Sequence, residues 1–341
     1  MSDSNFPTPP YPPAPGASAF GPVFPMSFGQ ILDRVFRLIR SHWKPFVGIG
    51  LLPIGAVVVF EGVLFGALFA EGVFQHPPAQ PNAATILRIV VPLVVLGVPV
   101  LLLAYGVYYS ASSYAALAAD GGRTVTAREA LRHAWSKAGR YVWLMVLRSL
   151  IIAIPIFVLV FAVAVGGMML GLIQRGNPSP AALFFLLPLA ILFYLGAVVY
   201  AVIMSLRLSL AFPACVQEGL TAMQAIKRSG VLTQGAKGRI FLMLLIIYAI
   251  SYAFVMVMYA VGLFVFAIGS LAGAGNLHDM TPLGYFAVGL LGVCALVVVL
   301  LWSVLLMAAY SISFAVFYRD QRLRKDGPPP TPVPTAIAAE S

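Results

Sequence analysis

The chain has 341 residues, 61% of them hydrophobic and 9% charged, whereas a soluble domain carries about 45–50% apolar and about 25% charged residues. That excess excludes a purely soluble protein, because lipid has to be the solvent for much of the chain. The net charge of +10, from 21 Lys and Arg against 11 Asp and Glu, falls in short blocks between apolar stretches. That placement argues for cytoplasmic loops beside an anionic membrane and against nucleic acid.

Residues 1–26 open the chain with eight prolines and no Lys or Arg. A signal peptide needs a basic start followed at once by an apolar run, so this segment is expected to be a disordered, partly polyproline tail. A capping-box pattern then begins at Ser27, with Gln30 three residues on. It opens an amphipathic helix. At about 100° per residue, Phe28, Ile31, Leu32, Val35, Phe36, Leu38, Ile39 and Trp43 share one side, and Gln30, Asp33, Arg34, Arg37 and Arg40 the other. Spans one and two are expected over 46–69 and 86–109, the second continuing as helix through small residues to Ala118. Thr126 and Glu129 open a second amphipathic helix, with Ala130, Leu131, Ala134 and Trp135 opposite Arg128, Arg132, His133 and Lys137. Spans three and four follow over 142–172 and 183–212, the fourth running on as helix to Val216. Thr221 and Gln224 open a third lead helix, expected to be shorter because Gly230 interrupts its apolar face. Spans five and six cover 240–271 and 283–317, and 321–341 form a second disordered tail containing Pro328, Pro329, Pro330 and Pro332.

Each span exceeds the ~20 apolar residues that cross a hydrocarbon core, and only helices leave no backbone amide unpaired there. The predicted fold is an all-α integral membrane protein with six transmembrane helices. Three capping patterns, at 27, 126 and 221, divide it into three repeats, 27–120, 121–215 and 216–320, each an amphipathic interfacial helix plus a transmembrane pair. Of the 21 Lys and Arg, 17 lie before span one, between spans two and three, between four and five, or after six. Only Arg88 and Arg175 lie in the other connections. This asymmetry places both termini in the cytoplasm. Cys215 and Cys294 fall at different depths and are expected to stay unlinked.

Two motifs carry a family resemblance. Phe28-Gly29-Gln30-Ile31-Leu32-Asp33-Arg34-Val35-Phe36-Arg37-Leu38 resembles the opening of a bacterial membrane-protein group. So does Glu218-Gly219-Leu220-Thr221-Ala222-Met223-Gln224-Ala225-Ile226-Lys227-Arg228-Ser229. The group comprises the membrane domain attached to some glycerophosphoryl diester phosphodiesterases and the YciC-like proteins, and the likeness extends loosely over 27–320. An aromatic residue often follows the Arg-Ser pair in that group, where this chain has Gly230. The resemblance implies a six-helix module of the bacterial cytoplasmic membrane. It does not imply a phosphodiesterase, since the hydrolase is a separate soluble domain for which this chain has no room.

No H-E-x-x-H, metal-spaced Cys or His pair, or G-x-S-x-G appears, so neither catalysis nor a cofactor is expected. His42, His76, His133 and His278 are scattered. The sharpest candidates are ionisable residues inside spans, namely Glu61, Arg148 and Arg207, each costly in lipid unless paired or hydrated. Arg148 and Arg207 lie near the cytoplasmic side, within reach of snorkelling. Glu61 lies about 25 Å along the helix from Lys44, beyond either arginine. It is either protonated and bonded to a neighbouring helix, which is preferred, or exposed to a polar transport cavity.

Three functions compete. The leading expectation is a non-catalytic module whose cytoplasmic face meets anionic headgroups, through Arg34, Arg37, Arg40, Lys44, Arg128, Arg132, Lys137 and Arg140, or a membrane or cytoplasmic protein partner. A transporter or channel is supported by Glu61 and by Pro53, Pro92, Pro99, Pro155 and Pro188 in the spans. An intramembrane enzyme ranks last. Gly62-x-x-x-Gly66 and Gly167-x-x-x-Gly171 admit close helix contact and hence a homo-oligomer.

Overall fold

A computed structural model of the chain describes residues 25–70, 83–173, 180–271 and 282–327. The two expected tails, apart from the residues nearest the helices, lie outside the described residues, as do His76, Arg175 and His278 and the surroundings of Gly167 and Gly171. The elements in order are α1 (Phe28–Ala70), α2 (Ala83–Pro92), a π turn (Leu93–Gly97), α3 (Val98–Asp120), α4 (Ala127–Trp135), α5 (Ala138–Ile173), α6 (Pro180–Arg207), α7 (Ala211–Glu218), α8 (Ala222–Leu232), α9 (Lys237–Leu271) and α10 (Pro282–Asp326). The fold is all-α, and six of the described helices are long and apolar enough to cross a membrane. The protein is a multi-pass membrane protein.

The lead segments are capped as the sequence suggests. The Ser27 amide donates to Gln30 Oε1 at 2.8 Å while the Gln30 amide donates to Ser27 Oγ at 3.4 Å. Thr126 Oγ1 accepts from the Glu129 amide at 3.2 Å, and Thr221 and Gln224 form the reciprocal box. The first lead segment is separated from its span only by a break at His42 (φ −127°, ψ 29°) inside α1. Pro45 has no amide to give the Ser41 carbonyl, which disfavours regular helix at that turn.

Two expectations are corrected. The fourth span does not run on as helix to Val216: residues 208–210 turn between α6 and α7. Pro213 sits in the first turn of α7, where its missing amide breaks no helical bond. Nor does Gly230 shorten the third lead helix. At 11 residues α8 is longer than the nine of α4, and Gly230 is buried within it.

Burial divides the molecule along its helices. At one end, here termed the cap, Ile31 and Val35 of α1, Ala111 and Ala116 of α3, Ile240 and Met243 of α9, and Ile312 and Val316 of α10 pack into one core. A second cluster joins Tyr141 and Leu144 of α5 to Phe212 and Cys215 of α7 and Ala225 of α8. Tyr109 bridges the two, its ring stacked on Phe212 at 5.2 Å. The small residues at the end of α3 let neighbouring helices approach closely. At Gly106 a Cβ would stand 3.2 Å from the Val142 Cα. Between α3 and α10 a buried hydroxyl chain runs from Tyr108 to Ser311 (3.2 Å) and on to Ser112 (2.9 Å). Away from the cap the helices expose apolar side chains almost continuously. Cys215 is buried, Cys294 is exposed, and the two thiols are free.

Candidate functional site

The cap is knit by carboxylates that are fully buried and paired with arginines. Asp120 ends α3. Its Oδ1 accepts from Arg34 Nε of α1, its Oδ2 from Arg319 Nη1 of α10 at 2.8 Å, and its carbonyl from Arg34 Nη2 at 2.8 Å. Asp320, one residue past Arg319, forms the second node. Its Oδ2 accepts from Arg324 Nε (2.9 Å) and Gln321 Nε2 (2.8 Å) and lies 3.5 Å from Arg239 Nη1 of α9. Its Oδ1 accepts from the Met26 amide at 2.8 Å, while Arg324 Nη2 donates to the Met26 carbonyl at 2.7 Å. A buried carboxylate is tolerated only when paired and hydrogen-bonded, and each of these has both kinds of partner. The two nodes hold α1, α3, α9, α10 and the chain ahead of α1 together.

The second family-like motif supplies a third node. Arg228 Nε donates to both oxygens of Glu218 at 3.1 Å, its Nη2 reaches Asp326, and Tyr318 OH donates to Glu218 Oε1 at 2.7 Å. The bond to Asp326, and secondarily Glu218, raises the pKa of Arg228. Gly219 ends α7 at φ 65°, a left-handed value that suits glycine, and its carbonyl accepts from Arg140 Nη1 at 2.9 Å. Ser229, fully buried, donates to the Arg207 carbonyl at 2.7 Å and accepts from the Leu210 amide at 3.2 Å. It therefore closes the turn between α6 and α7, whose backbone groups have no helical partners. A Cβ at Gly230 would stand 3.3 Å from Arg207 Nε, so the glycine lets the guanidinium lie across α8.

The sequence-derived candidates separate accordingly. In the first motif Arg34 is held on Asp120, Leu32 and Phe28 pack against the core, and Gly29 is exposed. In the second, Ala225 is buried and Lys227 exposed. Arg148 lies with its Cζ 5.6 Å from the centre of the Tyr109 ring, a cation–π arrangement reaching back toward the cap. Glu61 is exposed on α1, and no described residue pairs with its carboxylate. Arg37 pairs only with Asp33 on the surface, while Arg40, Lys44, Arg128, Arg132 and Lys137 are exposed. No motif in the sequence marks Asp120, Asp320 or Asp326. The available signal was an acid embedded within, or just ahead of, a basic block.

His133 stacks on Tyr114, with ring centres 4.3 Å apart, and its Nε2 is buried without a partner among the described residues. Desolvation, then Lys137, lowers its pKa. Among the described residues no group of three or more His, Cys, Asp or Glu is placed to hold a metal. The cap arrangement provides charge, shape and hydrogen bonds. Asp120, Asp320, Glu218 and Asp326 are each committed to arginines, which suits cohesion and surface recognition. Comparison with protein-family models, with curated proteins and with solved structures returned no match.

Proposed function

We propose that the protein is a non-catalytic module of a bacterial cytoplasmic membrane whose cap, together with both termini, faces the cytoplasm and engages anionic lipid headgroups. The observation that carries this reading is the company its tryptophans keep. Trp43, Trp135 and Trp143 are 46%, 60% and 57% exposed, and they sit in the same segments as the exposed cations Arg40, Lys44, Arg128, Arg132 and Lys137. Indole rings favour the boundary between hydrocarbon and headgroups, and cations just beyond it favour anionic lipid. The arginines of the cap thus divide by role, with Arg34, Arg228, Arg239, Arg319 and Arg324 holding the body together.

The threefold organisation over 27–120, 121–215 and 216–320 belongs to the same reading. It is supported by a cap at the start of each unit. The likeness of the two motifs to the glycerophosphoryl diester phosphodiesterase membrane domain and YciC-like group also supports a membrane module. In this chain those motifs contribute latches: Arg34 in one, Glu218, Arg228 and Ser229 in the other.

Tryptophan quenching in nanodiscs tests the proposal. Brominated phosphatidylglycerol at low mole fraction is expected to quench the native protein more than brominated phosphatidylcholine does. Replacing Arg40, Lys44, Arg128 and Arg132 together by Gln should abolish the difference. Equal quenching by the two lipids in the native protein would reject the reading.

A further inference from the structure

Away from the cap, the outer half of α1 diverges from α2, the π turn and α3 to leave a cavity of about 500 Å³. Ligand sites commonly fall between about 300 and 1,000 Å³. Val59, Val63 and Ala67 form one wall, and Leu93, Leu96 and Val100 the other. Phe60 closes its floor against Gly97, where a Cβ would come within 2.3 Å of the ring. The wide turn at Leu93–Gly97 begins just after Pro92, which has no amide to donate, and irregularities of this kind recur at functional sites. Val63 and Leu96 are exposed, so the groove is open sideways to the bilayer.

Two features identify the occupant. From Arg88 to Leu101, which both line the groove, the helical rise amounts to about 20 Å, the reach of one long acyl chain. Arg88 is the one cation in the groove lining, and the only Lys or Arg between Lys44 and Arg123. No carboxylate lines the groove or pairs with Arg88 among the described residues. A guanidinium beside an apolar slot, with no carboxylate partner among the described residues, matches phosphate oxygens in charge and geometry.

We propose that this groove holds one acyl chain of an anionic phospholipid whose phosphate is bound by Arg88, the second chain remaining in the bilayer. The site lies in the half of the membrane opposite the cap and is independent of the cap's cationic face. Glu61 is not part of its lining, so no carboxylate among the described residues stands where the lipid phosphate would bind.

Native mass spectrometry of the full chain in micelles reads the occupancy directly, with phosphatidylglycerol and phosphatidylcholine of matched chains offered together. The native protein should retain one phosphatidylglycerol preferentially. Losing a charged hydrogen-bond partner in Arg88→Gln should lower that occupancy about tenfold, toward the phosphatidylcholine level. Ala67→Phe, which fills the slot, should displace either lipid. Arg40→Gln with Lys44→Gln should leave this lipid in place. Equal retention of the two lipids by the native protein overturns the proposal, as does undiminished phosphatidylglycerol on Arg88→Gln. The Arg88 variant alone decides if Ala67→Phe fails to fold. A lipid lost from the Arg40/Lys44 variant and kept by Arg88→Gln would sink the groove while leaving the cap reading intact.

Discussion

In α3 and the π turn before it, two regions of the molecule meet on one continuous helix. Ala111 and Ala116 are 0% exposed among α1, α4 and α10, while Val95 and Leu96, little more than four turns earlier, are 61% and 69% exposed. The cap buries serines, aspartates and small residues, and the spans present Val, Leu, Ile and Phe outward. Protein partners satisfy polar groups in the first region, whereas lipid satisfies apolar ones in the second. Cohesion of the folded unit is therefore expected to reside in the cap, with the spans held largely by their solvent.

Removing a buried carboxylate breaks that contrast most severely. Asp120→Ala leaves Arg34 and Arg319 facing each other without their anion, and losing one member of a buried ionic set costs about 3–5 kcal/mol. Thermal unfolding in micelles should show the largest downward shift of any substitution considered. Ser229→Ala is expected to cost less, about 1–3 kcal/mol, because it strands the buried Leu210 amide. Faster hydrogen exchange confined to residues 207–233 would identify that loss as local.

How much of this was legible beforehand follows the same division. The spans were readable because lipid imposes a single demand, a long apolar run, that composition alone reveals. Helix starts at Ser27, Thr126 and Thr221 were readable because capping is local. The nodes at Asp120 and Asp320 were not, since the partners that join them to other segments lie 86 and 199 residues away for Asp120, and 81 and 294 for Asp320, whose local partners are Gln321 and Arg324. An arginine such as Arg34, counted among headgroup contacts, looks the same in sequence as Arg40, which is exposed. Gly230 misled for a related reason: an interruption in an apolar pattern does not reveal that Arg207 fills the space.

A smaller effect sharpens the picture at the cap surface. The pKa of His133 is lowered from the ordinary 6.5, first by desolvation and then by Lys137, so the folded state binds fewer protons than the unfolded state. Stability from this residue is complete above about pH 6.5 and falls as the pH drops from there through the lower folded value. His133→Phe should flatten the dependence of the melting temperature on pH between pH 7 and pH 5, over which the native protein's falls.

The most direct test sets one carboxylate from each region side by side in lipid nanodiscs. Asp320→Asn removes the charge that joins Arg239, Arg324 and the Met26 amide, and Glu61→Gln replaces a carboxyl group exposed on a span. The melting temperature should fall steeply for Asp320→Asn, and stay level or rise for Glu61→Gln. The reverse order would contradict a protein whose fold is anchored in its cap.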